Sequence, residues 1–196
     1  MESANFNVIE GSKKILISAA HAYPHKRPAL TCGYKGAEEY TDDITKDICS
    51  HLGCFGIYLT SDCEYDPNYH KLERNEYKQE ITDIVQKNNI QRVIDIHGLR
   101  DYSGYDVGIY YTTRFRRSIE FAQRISEGLD KGALRGINIG IFRFYDNEQE
   151  SIGEYVASQL RIPAVQIEIE RYIRKDDQLK REFVSNLVKV LEQEKI

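Results

Sequence analysis

Chemistry-bearing residues fall at three places where an apolar run stops. His21 follows "ILISAA", His97 ends "RVIDIH" with Asp95 two residues before it, and Glu168 sits late in "AVQIEI". Two imidazoles and a carboxylate drawn from separate segments suit an open metal site: catalytic zinc takes three protein ligands, keeps a position for water, and is commonly paired with a glutamate that handles the water's proton. The third ligand is sought near His21. An HxxE spacing fails because Pro24 stands three residues on, and the same proline argues against a helical presentation of His21 with His25. The stretch "KGAEEYTDD", at the opening of the next helical pattern, supplies Glu38 or Glu39, of which Glu38 is preferred. Asp95 points with His97 on an extended segment, since residues two apart share a face, and there it can accept the second ring proton of a metal-binding histidine.

Each residue also has a plainer use. Asp95 and His97 suit a buried hydrogen-bonded pair. Glu38 and Glu39 suit a first helical turn, where the helix dipole favours acids. Gln166, Glu168 and Glu170 alternate with Ile167 and Ile169 as on a half-exposed edge strand. The constellation as a whole argues for chemistry more strongly than any member.

The elements that must position these residues alternate along the chain. "KKILISAA" (13–20) reads as a buried strand, followed by the Pro- and Gly-containing "HAYPHKRPALTCGYKG", too long for a mere connector. From Ala37, Tyr40, Ile44, Ile48 and Leu52 recur at helical spacing as far as Gly53, and "FGIYLT" (55–60) is the next strand. A helix follows between roughly 69 and 88, marked by Tyr77, Ile81, Ile84, Val85 and Asn88, and then the strand "QRVIDIH" (91–97). "YDVGIYY" reads as a strand, "RFRRSIEFAQRISEGLDK" as a helix with Phe115, Ile119, Ala122, Ile125 and Leu129 on one face, and "INIGIF" as a strand. A helix at about 148–160, the strand "AVQIEI" (164–169) and a C-terminal helix carrying Leu179, Phe183, Leu187 and Leu191 complete the set. The pattern predicts one α/β domain, a three-layer sandwich around a mostly parallel or mixed sheet. In such sheets ligands gather at the carboxyl ends of the strands, where His21, His97 and Glu168 would converge.

Composition narrows the partners. The 196 residues are 41% apolar, enough for a sizeable core, and 27 basic against 31 acidic residues leave a net charge of -4. No positive field draws nucleic acid or an anionic membrane, and Arg114, Arg116 and Arg117 are balanced by Glu120 on a solvated helix face. No run approaches the ~20 apolar residues of a membrane span, and "MESANFNVIEGSKK" lacks a signal-peptide core, so the expected location is cytoplasmic. Cys32, Cys49, Cys54 and Cys63 have no CxxC pairing and are expected to be ordinary reduced thiols.

The sequence resembles the N-formylglutamate amidohydrolase family, within the wider zinc carboxypeptidase-like hydrolases. The matching pieces come in family order: a histidine after the first strand, the acid in "AEEYT", the strand-ending "DIHG" and the late "AVQIEI", spanning roughly Ile15 to Arg171. The resemblance implies a zinc exopeptidase-like fold and one zinc ion held by His21, Glu38 and His97. It implies that Glu168 acts as base and then acid, on a small amide substrate cleaved to a carboxylate and an amine. Two departures fall in loops that would shape the pocket: "HAY" replaces the family's His-Ser-Gly, and "DPNY" (66–69) stands near an expected Asp-x-Asn-Arg. A carboxylate on the substrate would favour an arginine anchor, with Arg100 and Arg171 ranked together and Arg74 behind them. Competing readings are a non-catalytic small-molecule-binding α/β domain and a metal-independent cysteine hydrolase, for which no activated thiolate can be assigned.

Overall fold

The computed structural model describes residues 5–27, 33–112, 116–143 and 150–194. Its strands are β1 (Phe6–Ile9), β2 (Lys13–Ala19), β3 (His25–Lys26), β4 (Tyr34–Lys35), β5 (Cys54–Leu59), β6 (Arg92–Gly98), β7 (Val107–Tyr111), β8 (Ile139–Arg143) and β9 (Ala164–Ile169). The helices are α1 (Thr41–Leu52), α2 (Glu76–Asn88), α3 (Arg116–Leu129), α4 (Ile152–Tyr155), α5 (Arg171–Lys175) and α6 (Asp177–Glu192). Seven strands form one sheet in the order β1-β5-β2-β6-β9-β7-β8, while β3 and β4 make a separate antiparallel ribbon.

Strands β5, β2, β6 and β9 run parallel, and β1 pairs antiparallel with β5. The pair β7 and β8, parallel to each other, joins β9 antiparallel, so the sheet is mixed. Two apolar clusters cover its faces and make three layers. On one face Ile44 and Ile48 of α1, Phe121 and Ile125 of α3, and Phe183 and Leu187 of α6 pack on Ile15, Ile17, Ile94, Ile96, Val165 and Ile167. On the other, Tyr77 and Ile81 of α2 and Ile152 and Tyr155 of α4 pack on Leu16, Phe55, Ile57 and Val93. The central strands are buried on both faces, which is why they read as near-continuous apolar runs.

Three expectations are corrected, and one plainer reading is excluded. The strand "AVQIEI" is not an edge: β9 lies between β6 and β7, with Gln166 buried and Glu168 partly buried. The α3 face that meets the core carries Ser118, Phe121, Ala122, Ile125, Gly128 and Leu129, with Ile119 only partly buried. On that face the buried Ser118 hydroxyl accepts a hydrogen bond from the Ala164 N–H at the start of β9. The long loop after β2 folds part of itself into the β3–β4 ribbon, and Glu38 precedes α1 rather than opening it; the acids of the first turn are Asp42 and Asp43. The helix expected from about 148 is α4 continued by a π-helical turn over Val156–Leu160. Cys32, Arg114, Phe115 and residues 148 and 149 lie outside the described residues. No helix among the described residues is long and apolar enough to cross a membrane.

Candidate metal and catalytic site

The carboxyl ends of β2, β5, β6 and β9 share one edge of the sheet, and the residues leaving those ends meet there. His21 follows β2, Asp66 lies on the connection after β5, His97 is the penultimate residue of β6, and Glu168 lies directly across from His97 in the β6–β9 register. Glu38 is brought in by its own backbone. Its N–H donates to the His21 carbonyl at 2.8 Å, and its carbonyl accepts the Thr41 hydroxyl at 2.8 Å, which seats the turn entering α1.

One carboxylate then bridges two rings. Glu38 Oε1 is 3.2 Å from His21 Nδ1 and Glu38 Oε2 is 2.9 Å from His97 Nδ1; the Gly98 N–H donates to Oε2, also at 2.9 Å. Gly98 is required by close approach: a Cβ there would lie 2.9 Å from the Glu38 Cβ and 2.7 Å from an Arg174 guanidinium nitrogen. Arg174, only 4% exposed, donates Nε to the Ile169 carbonyl at 2.9 Å and also bonds the Glu39 carbonyl, tying α5 to the Glu38 turn.

Each ring is held from behind by another carboxylate. His21 Nε2 is 2.8 Å from Asp66 Oδ1, and His97 Nε2 is 2.7 Å from Asp95 Oδ2. Both Nδ1 atoms face Glu38; a metal bound there would need neutral rings whose Nε2–H is given to the carboxylate behind each. Asp66 also accepts the Arg27 Nε at 2.7 Å and the Asn68 N–H at 2.9 Å. His25 stacks on His21 with ring centroids 3.7 Å apart, its Nε2 being 3.7 Å from Asp66 Oδ2. Asn68 donates to Gln166 Oε1 at 3.1 Å, and Gln166 donates to Glu168 Oε1 at 2.8 Å, so a short amide relay orients the Glu168 carboxylate.

The electrostatics follow from these contacts. Burial would raise the Glu38 pKa, but His21 and His97 hold it well below the usual carboxylate range. Burial likewise opposes the charged form of Asp66, whose carboxyl is nevertheless depressed by His21, Arg27 and His25. For His97 burial acts downward, and Asp95 and Glu38 outweigh it, raising the pKa well above the ordinary histidine value. His25 goes the other way: burial foremost, with His21 beside it, lowers it to about 3. Glu168 is raised, chiefly by burial and by the Glu38 carboxylate, with His97 pulling against them.

His21, Glu38 and His97 can hold one metal ion, their candidate ligand atoms all lying within 4.8 Å of one another. Two neutral nitrogens and one carboxylate oxygen also match the donor set of catalytic zinc. A second group, His21, His25 and Asp66, brings its ligand atoms equally close, and in each group one carboxylate oxygen already has a cation, Arg27 on Asp66 Oδ2 and Lys35 on Glu38 Oε1.

The residues expected to reach substrate sit farther out. Arg171 is half exposed and pairs with Glu39 at 2.7 Å; Arg100 is exposed on the loop leaving β6, and Arg74 is exposed on a 3-10 turn at Leu72–Arg74. Cys49, Cys54 and Cys63 are buried free thiols; the hydrogen bond with Cys54 and then burial raise Cys49, and burial raises Cys63, which speaks against an activated nucleophile at either. Sequence reasoning did not assign Asp66, Asn68, Gln166, Arg27 or Arg174 to the site. The signal for the first two was the "DPN" tripeptide, whose Asp–Asn spacing forms a turn that caps its own backbone.

No family model and no curated protein matches this sequence. Solved structures do. An N-formylglutamate amidohydrolase from Ralstonia eutropha aligns over 97% of this chain and 98% of its own, at 10% identity and TM-score 0.67. An N-acetylmuramoyl-L-alanine amidase from Clostridium difficile aligns over 93% and 96%, at 11% identity and TM-score 0.62. A succinylglutamate desuccinalase from Vibrio parahaemolyticus aligns over 96% and 69%, at 17% identity and TM-score 0.55. The chain therefore has the α/β fold of these hydrolase structures, as its resemblance to the N-formylglutamate amidohydrolase family implied.

Proposed function

We propose that this chain is a metal-dependent hydrolase of an amide bond in a small carboxylate-bearing molecule, of the N-formylglutamate amidohydrolase type. The observation that carries the reading is the pair of buried imidazoles whose Nδ1 atoms face the two oxygens of one Glu38 carboxylate, each backed on Nε2 by a further carboxylate. His21, Glu38 and His97 are the proposed holders of one zinc ion, which when bound supplies a Lewis acid to acidify water and polarise a carbonyl.

The chain's own groups do the rest. Asp66 and Asp95 keep the two rings in the tautomer that offers Nδ1. Glu168, its Oε1 held by Gln166, takes the proton of the attacking water on the free oxygen and returns it to the departing nitrogen, leaving a carboxylate and an amine. Its raised pKa brings it closer to the range where one carboxyl can both accept and donate. Arg100 and Arg171, on the segments leaving β6 and β9, are proposed rim contacts for a substrate carboxylate.

The test is turnover. Zinc-loaded protein should release amine from N-formyl-L-glutamate or another N-acyl amino acid, lose that activity to a chelator and regain it with zinc. Stoichiometric zinc without turnover across such a panel would favour a binding domain instead.

A further inference from the structure

Lys35 stands at the mouth of the histidine–carboxylate cluster, and the proposed mechanism leaves it without a task. It lies on β4, opposite His25 in the ribbon register. Its Nζ is 2.8 Å from Glu38 Oε1, the same oxygen that faces His21 Nδ1. The Lys35 side chain is 30% exposed where that of Glu38 is 8% and that of His21 is 2%, so its ammonium sits between solvent and the Glu38 carboxylate. Neighbouring cations are committed elsewhere: Arg27 to Asp66, Arg174 to the Ile169 and Glu39 carbonyls, and Arg171 to Glu39.

A carboxylate oxygen taken by a divalent cation cannot keep an ammonium partner at the same strength, because the two cations then repel at close range. A lysine adapts readily, its point charge riding on a flexible four-carbon stem. We propose that Lys35 is the inner anion anchor of the site: released from Glu38 when the metal binds, it pairs with a carboxylate of the substrate and holds the amide beside Glu168. The identity of the ligand rests on the hydrolytic reading above; the exchange of partners does not. The long "HAYPHKRPALTCGYKG" segment then has a use, since its ribbon delivers the lysine that sets specificity for anionic amides.

Two measurements test this. Zinc affinity by chelator competition should tighten about two- to fivefold in Lys35→Met, the scale of a partly exposed ion pair no longer competing for Glu38. Calorimetric binding should then be compared for N-formyl-L-glutamate and its uncharged diamide in the zinc-loaded Glu168→Gln protein, which suppresses turnover. With Lys35 present the carboxylate form should bind about tenfold or more tightly than the diamide, the scale of one charged hydrogen bond. Lys35→Met should cut that preference about tenfold, leaving only what the rim arginines supply, and Lys35→Arg should retain it. A preference unchanged in Lys35→Met, equal affinity for both ligands, or binding of neither overturns the proposal. So does a Lys35→Met protein with lowered kcat and unchanged KM, which would place the ammonium on Glu168. A Lys35-dependent preference in a protein that never hydrolyses amides supports the anchor and defeats the hydrolytic reading alone.

Discussion

Removing the Asp66 carboxylate should damage both the fold and the metal site, by amounts that follow from its contacts. Asp66 is fully buried and accepts from His21 Nε2 at 2.8 Å, Arg27 Nε at 2.7 Å and the Asn68 N–H at 2.9 Å. In Asp66→Ala these donors lose their acceptor inside the protein, and breaking one partner out of a buried charged pair costs about 3–5 kcal/mol. Its depressed pKa fixes the sign of the pH dependence. The contribution is fully present above ~4, the unfolded aspartate value, and is lost as pH falls toward the much lower folded value, so the gap between the two proteins should begin to narrow below ~4. His21 also loses the partner that sets its tautomer, which typically weakens metal affinity by about 10–100-fold. Asp66→Asn keeps the volume and one acceptor oxygen, so it should fold with a smaller loss of stability yet still bind zinc more weakly. Urea unfolding of the metal-free proteins from pH 3 to 8, with zinc affinity by chelator competition, measures both effects. Wild-type zinc affinity in a folded Asp66→Asn protein would refute the bracing role.

Other substitutions separate chemistry from packing. Glu168→Gln should retain zinc while amide hydrolysis falls by about 100-fold or more, as measured by amine release; loss of zinc would make Glu168 a ligand instead. Phe121→Ala, at a fully buried position of α3, should cost about 3–5 kcal/mol in denaturant unfolding without altering the metal-binding stoichiometry. Lys78, buried on α2 with its ammonium bonded to the His70 carbonyl, has its pKa lowered chiefly by burial. The folded state therefore releases that proton before the unfolded state does, and stability should rise with pH between the folded value and ~10.4, a slope that Lys78→Met should abolish in unfolding measured from pH 8 to 10.5.

Much of this architecture was legible because the strands that carry it are buried on both faces. The runs ending at His21, His97 and Glu168 are apolar enough to be read directly, and their parallel order brings the three residues to one edge. The Asp95–His97 contact followed from strand periodicity alone. What escaped was set by tertiary context. Polar alternation in "QIEI" looks like an edge strand, yet β7 and β8 add on beyond β9 and make it an interior one. The proline before His25 correctly argued against a helix, but a two-residue ribbon still stacks that ring on His21. Arg174 sits among surface-like charges in sequence, and only the α5 turn folds it against Gly98 and the Glu38 turn.

The central claim is that His21, Glu38 and His97 form one metal site with Glu168 outside the ligand set, and zinc content tests it most directly. Zinc per chain should be measured after loading and gel filtration in the unaltered protein, in His97→Ala and in Glu168→Gln, with circular dichroism confirming the fold of each. The account expects one zinc per chain in the unaltered protein and in Glu168→Gln, and little or none in a folded His97→Ala. Full occupancy in His97→Ala, or loss of zinc in Glu168→Gln, would contradict it.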